Sequence, residues 1–191
     1  PGLAARRPDE YGFQPGEVEK ERVYMTTDEE VVDQITKTPQ LSKPRADGSP
    51  SPGYLKMDFT EELRKLIPWY AEKRNTSMTR HDEVPGGYTN SHAVVMDIVN
   101  LDHFKDVHRA VVVEMRQILE WWTGLRLSHS TTFGVRIYRR GSMLINHVDR
   151  ADTHLASAVL QVAQSVDMPD GGWPIEMLLP HGRVAEVYLQ P

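Results

Sequence analysis

Apolar residues recur at helical spacing from about residue 58 to residue 127, and beyond that the period shortens to strand-like alternation. Asp58 opens the first strong helical pattern, carried by Phe59, Leu63, Leu66, Ile67 and Tyr70. Pro68 lies inside it and predicts a kink or a stop, because proline lacks the backbone donor and its ring crowds the preceding turn. A second pattern runs through Phe104, Val107, Val111, Met115, Ile118 and Trp122, with Asp102 as its expected N-cap and Gly124 as its C-terminal cap. Between the two helices a glycine turn at Pro85, Gly86 and Gly87 precedes a buried strand over 93–99.

The remainder predicts strands over 132–140, 143–149, 155–163, 175–179 and 184–189, the last two joined by a tight turn at 180–183. Helices followed by antiparallel strands indicate an α+β fold. A double-stranded β-helix, or jelly roll, is its simplest closure, with the helices as N-terminal support. Residues 1–56 read as an extension and linker with one short helix through Val31, Val32 and Ile35. Thr27 to Glu30 form its capping box, and Pro39 follows its end. The stretch 44–53 is rich in proline, glycine and serine and predicts a loop. Residues 57–191 then form the main domain, with helical support over 57–127 and sandwich strands over 128–191. A jelly roll needs roughly eight strands. The strand run therefore reads as incomplete at residue 191, and the start at Pro1 without Met as a fragment or processed product.

Composition narrows the chemistry more than the fold. The 191 residues carry a formal net charge of −5, which disfavours sequence-independent nucleic-acid binding. With no cysteine, disulfides, thiolate zinc sites and cysteine nucleophiles are excluded within this stretch. No apolar run reaches membrane-spanning length, and no signal-peptide segment is evident. Trp121 and Trp122 at the end of the long helix are expected to pack against the sheet, and the remaining helical histidines, His103 and His108, to lie on the surface.

The candidate site centres on His147 and Asp149. Side chains two residues apart on a strand share a face, so one imidazole and one carboxylate stand side by side. They make two thirds of a facial triad for non-haem Fe(II). Arg136 and Tyr138 share one face of the preceding strand by the same alternation, as do Ser157, Val159 and Gln161 further on.

The strand through Val135 and Tyr138, the Gly141 turn, His147 with Asp149, the strand from Ser157 to Gln161, the loop Asp167–Gly172 and the strand from Trp173 to Met177 together resemble the prolyl 4-hydroxylase-like branch of the 2-oxoglutarate and Fe(II)-dependent oxygenases. The resemblance covers roughly residues 130–191. It implies a double-stranded β-helix in which His147, Asp149 and a distal histidine expected after residue 191 hold Fe(II). It also implies that Tyr138, Gln161 and Arg136 line the 2-oxoglutarate site, Tyr138 through its hydroxyl. The expected reaction consumes O2, decarboxylates 2-oxoglutarate to succinate and hydroxylates an unactivated C–H bond, with ascorbate as an auxiliary reductant. Peptidyl proline is the default substrate, with other peptide, protein or small-molecule substrates in the same class.

The family's distal histidine, and the basic residue that pairs with the far carboxylate of 2-oxoglutarate, have no match up to residue 191. His154 and His181 are the internal substitutes, and Arg150 is a candidate partner for Asp149. Two rival readings remain open. Gly141, His147 and Asp149 also match half of a cupin motif, without its glutamate. A β-sandwich that binds a partner without turnover is the other.

Overall fold

The computed structural model describes residue 48 and residues 53–76, 79–81, 89–90, 94–144, 147, 149, 153–165, 172–179 and 184–191. The expected helix near Val31, nearly all of the 44–53 loop, the glycine turn at 85–87 and the turn at 180–183 lie outside the described residues.

The first helical pattern forms two short helices, α1 (Glu61–Arg64) and α2 (Leu66–Lys73). Thr60, not Asp58, caps α1: its hydroxyl accepts from the Leu63 amide at 3.3 Å, which satisfies one of the unpaired donors of the first turn. The break falls at Lys65, upstream of Pro68. Pro68 offers no amide to the Arg64 carbonyl, and its ring would press on that carbonyl if the helix ran straight through. Ending α1 at Arg64 places Pro68 in the first turn of α2, where its missing N–H costs little.

The long helix α3 (Lys105–Thr123) follows a 3-10 turn, Leu101–His103. Asp102 therefore does not cap α3. It sits inside the 3-10 turn, whose own cap is Asn100, with the side-chain oxygen of Asn100 accepting from the Asp102 amide at 2.8 Å. At the other end Gly124 takes the left-handed conformation (φ 73°), and its amide bonds the Glu120 carbonyl at 2.9 Å. That is the expected glycine cap. Trp121 is 65 % exposed, contrary to expectation. The inward stripe at Val107, Val111, Met115 and Ile118 advances in steps of three and four, and Trp121 is three past Ile118 but drifts to the rim of that stripe.

Three strands form an antiparallel sheet in the order β1 (Thr79–His81), β2 (Asp97–Asn100), β3 (Gly134–Ile137). Asp97 stands opposite Ile137 and Asn100 opposite Gly134. Gly134 has φ 147°, and a Cβ there would come within 2.4 Å of the Val99 carbonyl oxygen. The close approach of β2 and β3 at this end thus depends on glycine. A second antiparallel pair joins β4 (Ile175–Leu178) to β5 (Val184–Val187), in the register expected of a hairpin.

Residues 155–163 do not form the expected strand, since they pair with no neighbour among the described residues. Their alternation survives without a ladder: Val162 is buried, Leu160 packs on the core and Val159 is 64 % exposed. Of the expected strand over 143–149, Leu144 makes a single bridge to Thr89, and residues 145, 146 and 148 lie outside the described residues.

The core joins the helical and strand-bearing parts. Leu63, Leu66 and Tyr70 meet Val99, Val111 and Val162, and Val135, Ile137 and Leu160 pack around them. Trp69 meets Phe104 edge to face, with ring centroids 5.1 Å apart, which ties α2 to the start of α3. Truncating Leu66, which is 5 % exposed, removes contacts worth roughly 2–5 kcal/mol. Among the described residues no helix is long and apolar enough to cross a membrane.

Candidate metal centre

The chain enters the candidate site through a turn clamped by a buried asparagine. Asn90 is 3 % exposed. Its side-chain amide donates to the Gly141 carbonyl at 2.9 Å, and its side-chain oxygen accepts from the Met143 amide at 2.7 Å. Its own amide adds a bond to the Met143 carbonyl at 3.2 Å. Within the turn, the Ser142 amide donates to the Arg139 carbonyl and the Ser142 hydroxyl accepts from the Arg139 amide, both at 2.9 Å. Burying these polar groups is tolerable because each has a partner. At the start of the turn Arg139 forms an ion pair with Asp97 at the near end of β2.

Beyond this turn His147 and Asp149 face each other. His147 Nε2 lies 4.0 Å from Asp149 Oδ1, with the two side chains 19 % and 44 % exposed. The other carboxylate oxygen, Oδ2, accepts a hydrogen bond from the Ser157 hydroxyl. The pair fits a metal ion in reach. A separation of 4.0 Å is within twice an ordinary metal–ligand bond of about 2.1 Å, so one ion can touch both atoms. Right-angled ligands, as a facial arrangement requires, stand roughly 3 Å apart, so side-chain closure accompanies binding.

The residues expected around 2-oxoglutarate fall into two groups. Arg136 and Tyr138 do share a face: Arg136 Nη1 donates to the Tyr138 hydroxyl oxygen at 3.4 Å, and the guanidinium carbon lies 6.0 Å from the centre of the tyrosine ring. Trp173, which precedes β4, meets the Tyr138 ring edge to face, with centroids 4.9 Å apart at 83°. Tyr138 thus links the three-stranded sheet to the hairpin. Gln161 turns its side-chain amide to the Ala163 carbonyl at 2.8 Å, a bond within its own segment.

No protein-family model matches the chain, and neither does any curated protein or solved structure. Among the described residues no group of three or more histidine, aspartate or glutamate side chains could hold a metal ion. At the candidate site the described residues supply two donors, His147 and Asp149. His154 engages the Thr153 hydroxyl through Nδ1 at 2.8 Å, and His181 and Arg150 lie outside the described residues.

A separate pocket of about 520 Å³ opens at the far end of the β2–β3 ladder, between Asn100, Asp102, His108, His129 and Phe133. It contains neither His147 nor Asp149 and lies at the Gly134 end of the ladder, away from Tyr138. His108 is more buried than a surface helix histidine: Nδ1 stands 3.4 Å from Asp102 Oδ1, and Nε2 is buried with no hydrogen-bond partner among the described residues.

The sequence singled out neither Asn90 nor the partner of Ser157. Asn90 belongs to no periodic pattern, and only its partners some fifty residues away reveal its role. Ser157 was placed on the site face by alternation, but its bond to Asp149 depends on how the chain returns after residue 149.

Proposed function

We propose that the chain contributes the iron-binding part of an Fe(II)- and 2-oxoglutarate-dependent dioxygenase that hydroxylates a peptidyl proline or similar side chain. The observation that carries this reading is the facing of His147 Nε2 and Asp149 Oδ1 at 4.0 Å, just past a clamped turn. A neutral imidazole and a monodentate carboxylate are the donor types such iron takes. His147 and Asp149 would hold the ion, with a third ligand outside the described residues. Bound iron supplies the oxidative decarboxylation of 2-oxoglutarate to succinate that is coupled to C–H hydroxylation.

The residues of this chain set the frame for that chemistry. Two protein donors on one side leave other positions open for a chelating cosubstrate. Tyr138 presents a hydroxyl that can donate to a carboxylate oxygen, and Arg136 beside it contributes positive charge. Trp173 packs against the tyrosine ring edge to face and gives it an apolar neighbour.

Turnover tests the proposal. The full-length protein with Fe(II), 2-oxoglutarate and proline-containing peptides should form succinate. His147→Ala and Asp149→Ala should abolish that formation while leaving thermal unfolding unchanged. Iron uptake without any succinate would instead favour a cupin-type metal protein, and no uptake at all a binding module without catalysis.

A further inference from the structure

We infer that Ser157 is a positioning residue for the metal-binding carboxylate, its hydroxyl holding Asp149 Oδ2 so that Oδ1 is presented toward His147. The inference rests on the reading of His147 and Asp149 as metal ligands. It is carried by a division of labour within one carboxylate. Oδ2 accepts from the Ser157 hydroxyl, while Oδ1 is the oxygen that faces His147 Nε2 at 4.0 Å. The Asp149 side chain is 44 % exposed, so packing alone does not fix its rotation. A hydrogen bond to an ionised acceptor is among the stronger kinds and fixes that rotation directly.

Two consequences follow for an ion at this site. First, with Oδ2 engaged by the hydroxyl, binding through Oδ1 alone would be favoured. A bidentate carboxylate would take a second coordination position, which a chelating cosubstrate needs. Second, the carboxylate is oriented before the ion arrives, so less rotational freedom is lost on binding. Ser157 is itself exposed and lies in a segment without a strand ladder, so its truncation should leave the fold intact.

The test uses Mn(II) as the probe, with free ion measured by its electron paramagnetic resonance signal during titration of the full-length protein. Wild type should bind Mn(II), His147→Ala should not, and Ser157→Ala should bind 10–100-fold more weakly, the usual range for a lost outer partner. Ser157→Thr, which keeps the hydroxyl, should restore most of the affinity. Thermal unfolding in the presence of a chelator should be the same for all four proteins. Equal Mn(II) affinity in wild type and Ser157→Ala would overturn the inference and leave the metal reading standing. So would equal losses in the alanine and threonine variants, because the effect would then belong to shape and not to the hydroxyl. No Mn(II) binding by wild type would overturn the metal reading itself, and the inference with it.

Discussion

The ring of Trp173 stands edge-on to the ring of Tyr138, with centroids 4.9 Å apart and planes at 83°. This contact connects the segment before β4 to the end of β3, and Arg136 approaches the same tyrosine through its hydroxyl. A tyrosine held by an aromatic edge and a cation has a fixed hydroxyl, which suits a hydrogen bond to a bound carboxylate. Tyr138→Phe keeps the ring contact and removes only the hydroxyl. It should weaken 2-oxoglutarate binding by roughly 5- to 10-fold, the equivalent of a hydrogen bond worth about 1–1.5 kcal/mol, without lowering the melting temperature. Calorimetric titration of the metal-loaded variant would show it. An unchanged affinity would leave Tyr138 a packing residue.

Asn90 makes the longest-range polar contact in the approach to the site. Asn90→Ala strips partners from the Gly141 carbonyl and the Met143 amide, leaving polar groups unpaired in a buried turn. The expected loss is about 1–3 kcal/mol of unfolding free energy, read from denaturant midpoints at constant slope. Asn90→Asp should be no more stable than Asn90→Ala, since it keeps the acceptor for Met143 but turns a carboxylate oxygen toward the Gly141 carbonyl in a buried turn. A variant as stable as wild type would show that water replaces the clamp at no cost.

Tyr70 connects stability to alkaline pH. The residue is 8 % exposed, and burial raises its phenol above the ordinary value of 10.0, with Arg74 and Arg139 pulling the other way. A group whose pKa is raised on folding holds its proton more tightly in the folded state. Its contribution is complete below the unfolded value and is lost as pH rises from about 10 through the folded value. Chemical denaturation at a series of pH values should therefore show stability falling above pH 10. Tyr70→Phe should flatten that fall. An identical slope in both proteins would remove Tyr70 as its source.

Elements whose determinants are local were legible in the sequence. The stripe of α3 follows from steps of three and four, its end from Gly124, and the β4–β5 pairing from two alternating runs close in sequence. The contact of Arg136 with Tyr138 follows from period-two spacing along β3 and just past it. His147 and Asp149 also face each other, but neither lies in a strand, so alternation does not account for that facing. What escaped depends on distant partners. The 155–163 segment has the alternation of a strand, but a strand exists only where another backbone completes its hydrogen bonds, and pattern cannot supply that partner. The start of α3 was misplaced because Asn100 captured the Asp102 amide in a 3-10 turn, so the acid that looked like a cap became the capped residue. Nor did spacing reveal the tie from the Lys56 ammonium to the Tyr188 carbonyl, which joins the last residue of the N-terminal extension to the chain after β5.

The most direct test of the central claim, that His147 and Asp149 hold a chelatable iron, is anaerobic addition of Fe(II) and then 2-oxoglutarate to the full-length protein, followed by visible absorption. Iron held by His147 and Asp149 should give a charge-transfer band that requires both additions and disappears in His147→Ala. Absence of the band in wild type, or a band that persists unchanged in His147→Ala, would contradict that claim.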